Sequence, residues 1–400
     1  MEVSPVLRDA KSNDVTSVIL PPATIGILGG GQLGRMMALA GRALGYRFTV
    51  LDPTPDCPTA HVADKQVVAA FSDIEAARRL AEASDVVTYE FENVDADVAQ
   101  ALETFSRVPQ GSTLLATTQH RVREKTSLSD AGIPVTPFVP IFSFEDFENA
   151  TTTLGPKIVV KTSRGGYDGK GQWMIHSPAD LSAHRAEWEE IFVVNRDSGS
   201  SLAPLIAEQF IPFRGELSVV VARNARGEVK AFPPAENQHV NHILHLSIVP
   251  ARFPEPLLHQ AQVLAEQIAQ AMEIVGLLAV EMFVTEDGQL FVNELAPRPH
   301  NSGHYTMDAC VTSQFEQHIR AICNLPLGDV SLLTPVVMVN VLGQHLEEVL
   351  ARMSTLPGHV KVHLYGKAEA RTDRKMGHLN VLCDHVDEAL NWIDKQEIWN

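Results

Sequence analysis

Two glutamates on opposite strands of a predicted hairpin have the spacing that points most directly to chemistry. Residues 278–285 and 289–295 read as strands around an Asp-Gly dipeptide, which is typical of a two-residue turn. Such a turn places Glu281 directly opposite Glu294, with Cβ atoms about 4.5 to 5.5 Å apart. Two carboxylates at that distance repel each other unless a cation lies between them, and oxygen ligands favour Mg²⁺. The alternatives are that one glutamate pairs with a nearby Arg or Lys, or that a bulge changes the register.

A polar loop follows the second of these strands directly. Pro297 and Pro299 end the strand. Five polar side chains then emerge within seven residues, namely Arg298, His300, Asn301, Ser302 and His304. Beside a magnesium pair this set suits a site for a small anion, although an ordinary surface loop can have the same composition.

A glycine-rich stretch lies between two further predicted strands, 158–161 and 172–175. The segment from Gly165 to Gly171 has four glycines in seven residues, so its backbone N–H groups can close over phosphates. Positive charge is supplied by Lys161, Arg164 and Lys170. Because a strand and not a helix follows, the stretch differs from a P-loop. We predict a phosphate lid; the alternative is a flexible hairpin with ordinary surface lysines.

A second glycine motif, from Gly29 to Gly34, follows a predicted strand and precedes a predicted helix. Its pattern is G-x-G-x-x-G, and Asp52 ends the next strand, as in the fingerprint of dinucleotide-binding domains. The alternative is that these glycines only allow close packing between strand and helix. The motif alone does not separate the two interpretations.

Two further clusters have weaker patterns. Near the C-terminus the densest basic cluster of the chain contains Lys367, Arg371, Arg374 and Lys375. It suits the phosphate group of a substrate, although a solvated turn has the same composition. Three histidines, His239, His242 and His245, have the spacing of one helix face, but this stretch reads as a loop with no Cys, Asp or Glu partner closer than Glu236. We therefore do not predict a zinc site there.

The composition limits the kinds of protein that the chain can be. Its 400 residues are too many for one hydrophobic core, and 45% hydrophobic with 20% charged residues is typical of a soluble globular protein. The net charge of −17 argues against nucleic acid as a partner, and no apolar run is long enough to span a membrane. Four cysteines without a CxxC pair, together with an N-terminus unlike a signal peptide, favour the cytoplasm.

Strands and helices alternate from residue 24 to about residue 105, which predicts a parallel βαβ domain. Residues 117–130 read as one helix that stops before Gly132. Beyond it, paired strands around short turns predict antiparallel sheets, and residues 256–275 carry a long helical pattern. The expected fold class is therefore α/β followed by α+β.

Several stretches in combination resemble the ATP-grasp superfamily and, within it, the family of N5-carboxyaminoimidazole ribonucleotide synthetases. They are GILGGGQLGRMM, VVKTSRGGYDGKGQW, AEQFIPFRGELS, NELAPRPHNSGHYT and RKMGHLN, and the resemblance covers about residues 24–384. It implies an ATP-grasp fold with a Rossmann-like N-terminal domain. The expected segments are a loosely ordered extension (1–22), the Rossmann-like domain (23–116), the small or lid domain (117–212), and the large domain with a C-terminal region for the substrate phosphate (213–400).

The resemblance implies a reaction in which ATP and bicarbonate carboxylate 5-aminoimidazole ribonucleotide through carboxyphosphate, in purine biosynthesis. No nicotinamide is used, and the glycine motif of the first domain is expected to help hold the ribonucleotide. The family further implies a homodimer, cooperation with the mutase that follows it, and the cytoplasm. Whether this chain is free-standing or fused to such a mutase stays open. Another ATP-grasp ligase, a nicotinamide-dependent dehydrogenase and a catalytically inactive binding module are the rival interpretations.

The resemblance also assigns roles to residues, which are expectations at this point. Expected contacts of ATP are Arg121, Lys161, Gly166, Tyr167, Asp168, Gly169, Lys170, Gly171, Gln172, Glu208, Gln209, Phe210, Ile211, Glu216, His239, Asn293 and Glu294. Expected contacts of the ribonucleotide and bicarbonate are Gly31, Gln32, Leu33, Tyr167, Asp168, Lys170, Arg298, Asn301, Ser302, Lys367, Arg374 and Lys375. The expected catalytic group is Lys161, Asp168, Arg298, His300 and Asn301, and Glu281 with Glu294 is expected to hold Mg²⁺.

Overall fold

The computed structural model describes residues 16–166 and 170–399, with the side chain of Ala96 left out. Its first part is a parallel sheet of four strands in the order β3-β2-β1-β4. The strands are β1 (Thr24–Leu28), β2 (Arg47–Asp52), β3 (Lys65–Val68) and β4 (Val86–Tyr89). The accompanying helices are α1 (Gln32–Ala43), α2 (Ile74–Glu82), α3 (Ala96–Phe105) and α4 (Ser112–Thr118). The predicted βαβ arrangement is confirmed, while the short strand β3 was not predicted.

A second, antiparallel sheet of four strands has the order β5-β8-β6-β7. Its strands are β5 (Phe138–Ile141), β6 (Ile158–Thr162), β7 (Gln172–Ile175) and β8 (Leu205–Gln209). The helices of this part are α5 (Arg121–Asp130), α6 (Asp146–Leu154) and α7 (Pro178–Asp197). Strands β6 and β7 flank the predicted lid, as the sequence indicated.

The third part is a nine-stranded antiparallel sheet in the order β14-β13-β9-β11-β12-β15-β17-β16, with β10 beside β9. The strands are β9 (Phe213–Arg223), β10 (Val229–Ala231), β11 (Ala235–Val240), β12 (Ile243–Val249), β13 (Gly276–Thr285), β14 (Leu290–Ala296), β15 (Val336–Leu342), β16 (Val360–Leu364) and β17 (Lys375–Leu382). The helices are α8 (Glu255–Ala271), α9 (Thr306–Ala309), α10 (Gln314–Ile322), α11 (Leu346–Arg352) and α12 (Val386–Lys395). The expected combination of α/β and α+β parts is confirmed.

Strand β9 holds the large sheet in place because both of its faces are buried. Leu217 and Val219 belong to the hydrophobic core that includes α8, whereas Val220 and Ala222 pack into a second core around Tyr305. Successive side chains of a strand point to opposite faces, so a continuous apolar run is what a strand between two cores requires. This buried strand is the scaffold beside which the neighbouring strands present their polar residues.

Three expectations about local structure were wrong. The single helix over 117–130 is two helices, because Gln119 and His120 break it and the N–H of Arg121 turns to the carbonyl of Ser163. The histidine stretch is not a loop but the hairpin β11–β12. Of the expected loose extension, residues 1–15 lie outside the described part of the chain. Ile19, however, is buried, since it packs into the core of the first domain and its N–H donates to Cys323.

Candidate active site

A cavity of about 1020 Å³ is lined by residues of the small sheet and of the large sheet. Most residues that the sequence singled out line it. They are Arg121, Lys161, Gly166, Lys170, Gly171, Gln172, Glu208, Gln209, Phe210, Ile211, Glu216, His239, Glu281, Asn293, Glu294, Arg298, His300, Asn301 and Lys375. The expected roles of Tyr167, Asp168 and Gly169 fall outside the described residues.

The hairpin β13–β14 brings the two glutamates together by a route that differs from the predicted one. The turn is longer than two residues, because Thr285 and Gln289 are joined by a backbone hydrogen bond and Gly288 has φ +80°. The register then shifts between Met282 and Glu281, so that the extra residue Asn293 forms a bulge and Glu281 pairs with Glu294. Two local predictions were wrong, but their errors cancel and the pairing is confirmed.

The bulge has a second effect, on the direction of side chains. In a regular strand neighbouring residues point to opposite faces. At the bulge this alternation is interrupted, and both Asn293 and Glu294 line the cavity. Two successive polar side chains thus serve the same site.

The two facing carboxylates differ in their electrostatics. Burial, and then the charge of Glu294, raises the pKa of Glu281 to about 7. Burial also acts on Glu294, but Arg121 outweighs it and holds the pKa of Glu294 below its usual range, at an Nη1–Oε2 distance of 2.8 Å. The charges of His239 and Lys375 oppose this rise in the pKa of Glu281 without outweighing it, and the neighbour His300, 3.4 Å away, has a pKa well below its ordinary value. Two buried, facing carboxylates, of which Glu294 is paired with an arginine and Glu281 is not, fit a site for a divalent cation.

A buried group of charges lies on the side of the cavity formed by the small sheet. Lys161 Nζ donates to Glu208 Oε2 at 3.0 Å and to Asn293 Oδ1 at 3.3 Å. Lys125 is almost fully buried, lies 3.6 Å from Glu208 and donates to the carbonyl of Asn293 at 3.1 Å. Burial lowers the pKa of Lys125, while Glu208 opposes that effect. Lys161 lines the cavity and Lys125 lies buried behind it, so two lysines share one glutamate next to a space that suits phosphate oxygens.

Arg298 is fixed by a partner from the first domain. Its Nε and Nη2 donate to the two carboxylate oxygens of Glu92, with 2.8 Å between Nη2 and Oε1, and its Nη1 donates to the carbonyl of Pro299. Although burial opposes ionisation, Arg298 lowers the pKa of Glu92 to about 2. The guanidinium is therefore held in one plane while it lines the cavity.

A second ion pair lies near the magnesium candidates. His239 Nδ1 is in contact with the Glu216 carboxylate. Burial lowers the pKa of His239, but Glu216 more than offsets this and raises it. Among the described residues no group of three or more His, Cys, Asp or Glu side chains is arranged to hold a metal ion. A cation at Glu281 and Glu294 would thus need further oxygens from a ligand or water.

The glycine motif of the first domain does not have an open phosphate site. Both oxygens of Glu90 accept backbone N–H groups of the turn, from Gly31 and, at 2.6 Å, from Gly34. Asp52 accepts the N–H of Gly30 at 2.8 Å. Donors that would face a diphosphate are already occupied by carboxylates of the protein, so the dinucleotide interpretation is not supported.

Six residues with an expected role do not line this cavity: Gly31, Gln32, Leu33, Ser302, Lys367 and Arg374. Leu33 is buried in the core of the first domain. Arg374 is exposed and donates to the carbonyl of Glu369. Lys367 Nζ donates to the carbonyl of Lys375 at 2.7 Å. Burial followed by Arg374 lowers the pKa of Lys367 to about 8, while Glu90 of the first domain acts in the opposite direction. Ser302 lies behind the cavity wall and contacts His300.

Sequence reasoning missed three charged residues of this site: Glu92, Glu124 and Lys125. Glu124 is buried, and burial together with Glu294 raises its pKa to about 8. Arg121, Glu124 and Lys125 lie within the first five residues of α5. A polar run on a helix normally indicates a solvent-exposed face, so only the tertiary packing shows that Glu124 and Lys125 are buried.

Among the described residues no helix is long and apolar enough to cross a membrane.

Three models of known families match the chain in succession. They are a ribonucleotide synthetase preATP-grasp domain over residues 22–119, an ATP-grasp domain over 126–315 and a phosphoribosylaminoimidazole carboxylase C-terminal domain over 336–391. These models span the parts of the chain that form the three sheets.

Individual proteins match over nearly the whole length. The chain is 47% identical over 383 residues to the N5-carboxyaminoimidazole ribonucleotide synthase of Bacillus subtilis, which covers 96% of each chain. It is 52% identical to a crystal structure of an N5-carboxyaminoimidazole ribonucleotide synthetase in complex with ADP, with a TM-score of 0.90 and coverage of 96% and 98%. A synthase from Aspergillus clavatus, crystallised with ADP and 5-aminoimidazole ribonucleotide, has 30% identity, a TM-score of 0.84 and coverage of 96% and 98%. With this likeness along its full length and the matched ATP-grasp domain, the chain belongs to the N5-carboxyaminoimidazole ribonucleotide synthase family of ATP-grasp ligases.

Proposed function

We propose that this protein uses ATP and bicarbonate to carboxylate the exocyclic amine of 5-aminoimidazole ribonucleotide, with release of ADP and phosphate. The observation that carries the proposal is that one cavity contains a facing pair of carboxylates, a lysine-rich wall and a fixed arginine. Phosphoryl transfer to a small anion needs these three elements side by side.

In this proposal the nucleotide lies against the small sheet. Lys161 and Arg121 face its phosphates, Glu208 to Ile211 line the space for the adenosine, and the glycine segment around Gly166 covers the phosphates. Glu281 and Glu294 would hold Mg²⁺ together with phosphate oxygens, and the ion would offset negative charge on the transferring phosphoryl group. The fit of the ion rests on the facing carboxylates of Glu281 and Glu294, of which only Glu294 is paired with an arginine among the described residues.

Bicarbonate is proposed to bind beside Arg298, His300 and Asn301. An oxygen of bicarbonate attacks the γ-phosphorus, the bond to the β-phosphate oxygen breaks, and ADP leaves with carboxyphosphate as the other product. Cleavage of the C–O bond of carboxyphosphate then gives phosphate and carbon dioxide. The amine of the ribonucleotide attacks carbon dioxide, forms the N–C bond and loses a proton. Arg298, held by Glu92, keeps its charge next to these anions.

The ribonucleotide is proposed to reach from this point to the first domain. Its 5′-phosphate would meet Lys367, Lys375 and Arg374, and its ribose would lie near the Gly31 turn. Tyr167, Asp168 and Lys170 would close over it from the lid. We further propose a homodimer in the cytoplasm, coupling to a mutase that moves the carboxylate to carbon, and the division into segments 1–22, 23–116, 117–212 and 213–400.

The test is phosphate release from ATP, measured with and without bicarbonate and with and without 5-aminoimidazole ribonucleotide. The proposal expects full turnover only with both, and formation of one carbamate per ADP. Turnover that needs the ribonucleotide but is unchanged when formate replaces bicarbonate would contradict it and favour another ATP-grasp ligase.

A further inference from the structure

Gln314 is a fully buried residue at the start of α10 to which neither the sequence patterns nor the proposed reaction gives a role. Its side-chain amide makes two hydrogen bonds to the main chain of a single residue, His300. The N–H of His300 donates to Gln314 Oε1 at 2.9 Å, and Gln314 Nε2 donates to the carbonyl of His300 at 2.8 Å. These two bonds form a clamp on a residue that lines the cavity.

The main chain of His300 fixes the orientation of this amide. A backbone N–H can only donate and a carbonyl can only accept, so the amide oxygen has to face the first and the amide nitrogen the second. Nε2 also lies 2.9 Å from Nδ1 of His304. Among the described residues, Gln314 Oε1 is the only partner of the His300 N–H, whereas the carbonyl also accepts the N–H of Gly303 at 3.0 Å. Without the amide, the His300 N–H would lose its hydrogen bond.

The polar loop is shaped to receive the amide. A Cβ atom at Gly303 would lie only 2.6 Å from Gln314 Oε1, so a larger residue there would displace the amide. Thr306 joins the same two segments, because its hydroxyl accepts the N–H of Gln314 at 2.9 Å and donates to the carbonyl of Gly303 at 2.7 Å. The loop and the first residue of α10 are thus fitted to each other at the clamp.

Helix α10 gives the clamp a fixed support. Phe315 and Ile319 are buried in the core of the first domain, whereas Ala321 is buried in a core of the large sheet. Because α10 packs into both cores, the clamp sets the position of His300 and Asn301 relative to the first domain, where the ribonucleotide is proposed to bind.

We propose that Gln314 is a positioning residue for the anion site. By holding the main chain of His300, it keeps the side chains of His300 and Asn301 at the wall where bicarbonate and carboxyphosphate are proposed to bind. Gln314 does not line the cavity, so it acts through His300 and not on the substrates. The inference rests on the proposed function for the identity of the anion, but the clamp itself does not depend on that function.

Gln317 provides a matched control on the same helix. It is also fully buried, and its amide makes the same pair of bonds to the main chain of Gly328: Oε1 accepts the N–H at 2.8 Å and Nε2 donates to the carbonyl at 3.1 Å. Neither Gln317 nor Gly328 lines the cavity. Methionine has a similar length and no N–H donor, so Gln314→Met and Gln317→Met each remove one such amide. Both variants should lower Tm to a comparable extent.

The first measurement is amide hydrogen exchange in the ligand-free protein, resolved to single residues by NMR. We expect slow exchange of the His300 N–H in the unchanged protein and in Gln317→Met, and exchange faster by roughly tenfold or more in Gln314→Met. Fast exchange of the His300 N–H in the unchanged protein overturns the inference, whether or not any variant folds. Equally slow exchange in Gln314→Met overturns it as well.

The second measurement is bicarbonate-dependent turnover. Gln314→Met should lower kcat/KM for bicarbonate roughly tenfold to a hundredfold, because small displacements of groups around the reacting atoms are costly, and should leave KM for ATP nearly unchanged. Gln317→Met should leave both values unchanged despite its loss of stability. An equal fall in both variants would mean that the effect comes from the general stability of α10, and the inference would fail. It would also fail if Gln314→Met kept the kcat/KM of the unchanged protein.

Gly303→Ala tests the same clamp with Gln314 in place, because the added Cβ displaces the amide. It should speed the exchange of the His300 N–H and lower kcat/KM for bicarbonate in the same direction as Gln314→Met; unchanged values would contradict the inference. If the unchanged protein lacks turnover with bicarbonate while the exchange rates are as expected, the proposed function fails and the clamp on His300 stands.

Discussion

Glu281→Gln is expected to stabilise the metal-free protein above neutral pH. Burial and the facing Glu294 raise the pKa of Glu281 from 4.5 to about 7. Because the folded state binds this proton more tightly than the unfolded chain, the ionised carboxylate destabilises the fold. The effect is absent below about pH 4.5, grows up to about pH 7 and is complete above it. The difference between the two pKa values corresponds to about 3 kcal/mol at pH 8.

The assay is urea unfolding in the presence of a chelator, at pH 5 and pH 8. Glu281→Gln should have nearly the unfolding free energy of the unchanged protein at pH 5 and up to about 3 kcal/mol more at pH 8. Glu286→Gln is a matched control, because Glu286 is exposed at the turn of the same hairpin and should change neither value. Magnesium with ATP should then stabilise the unchanged protein more than Glu281→Gln.

Two results would refute this reasoning. An equal gain at both pH values would mean that the substitution acts through packing and not through charge. No gain at pH 8 would mean that Glu281 already has a cationic partner, and its assignment as a metal ligand would lose its electrostatic basis.

Three further predictions concern the substrate sites. Lys367→Ala should raise KM for 5-aminoimidazole ribonucleotide roughly tenfold or more with little change in KM for ATP, and an equal rise for ATP would place Lys367 at the nucleotide. Because the pKa of Lys367 is lowered to about 8, KM for the ribonucleotide in the unchanged protein should also rise as the pH increases through 8 and the lysine loses its charge. Gly166→Val should cut turnover with little change in Tm, because a Cβ there would meet the carbonyl oxygen of Lys170 at 2.9 Å; a large fall in Tm would mean a rigid structural turn. Glu92→Gln should raise KM for bicarbonate about tenfold, as Arg298 loses its charged partner, and unchanged steady-state kinetics would remove Arg298 from the anion site.

Residues on short local patterns were predictable from the sequence, and residues that depend on tertiary contacts were not. Glu281 and Glu294 could be paired because a hairpin relates its strands by simple counting. Counting did not reveal the bulge, which lies on β14, while the register of β13 against β9 is continuous at Glu281 and Met282.

The buried charges illustrate the second class. Lys125 is indistinguishable in sequence from a surface lysine of α5, and only the approach of Glu208 and the carbonyl of Asn293 makes its burial tolerable. Likewise, Glu90 lies 59 residues from Gly31, so no local pattern indicates that it occupies the glycine turn. The sequence contains the dinucleotide fingerprint, but backbone N–H groups of its glycine turn donate to carboxylates of the same domain.

The bulge at Asn293 sets a limit on how this hairpin can be redesigned. A chain that lacked Asn293 would run as a regular ladder, with Met282 still opposite Val292 and Glu281 still opposite Glu294. Idealising the strand in this way would keep the carboxylate pair. It would also remove the backbone carbonyl that accepts a hydrogen bond from Lys125 and the side-chain amide oxygen that accepts one from Lys161. A regular strand and the proposed nucleotide site therefore place opposite requirements on Asn293. A design method that favours ideal strands would delete this residue.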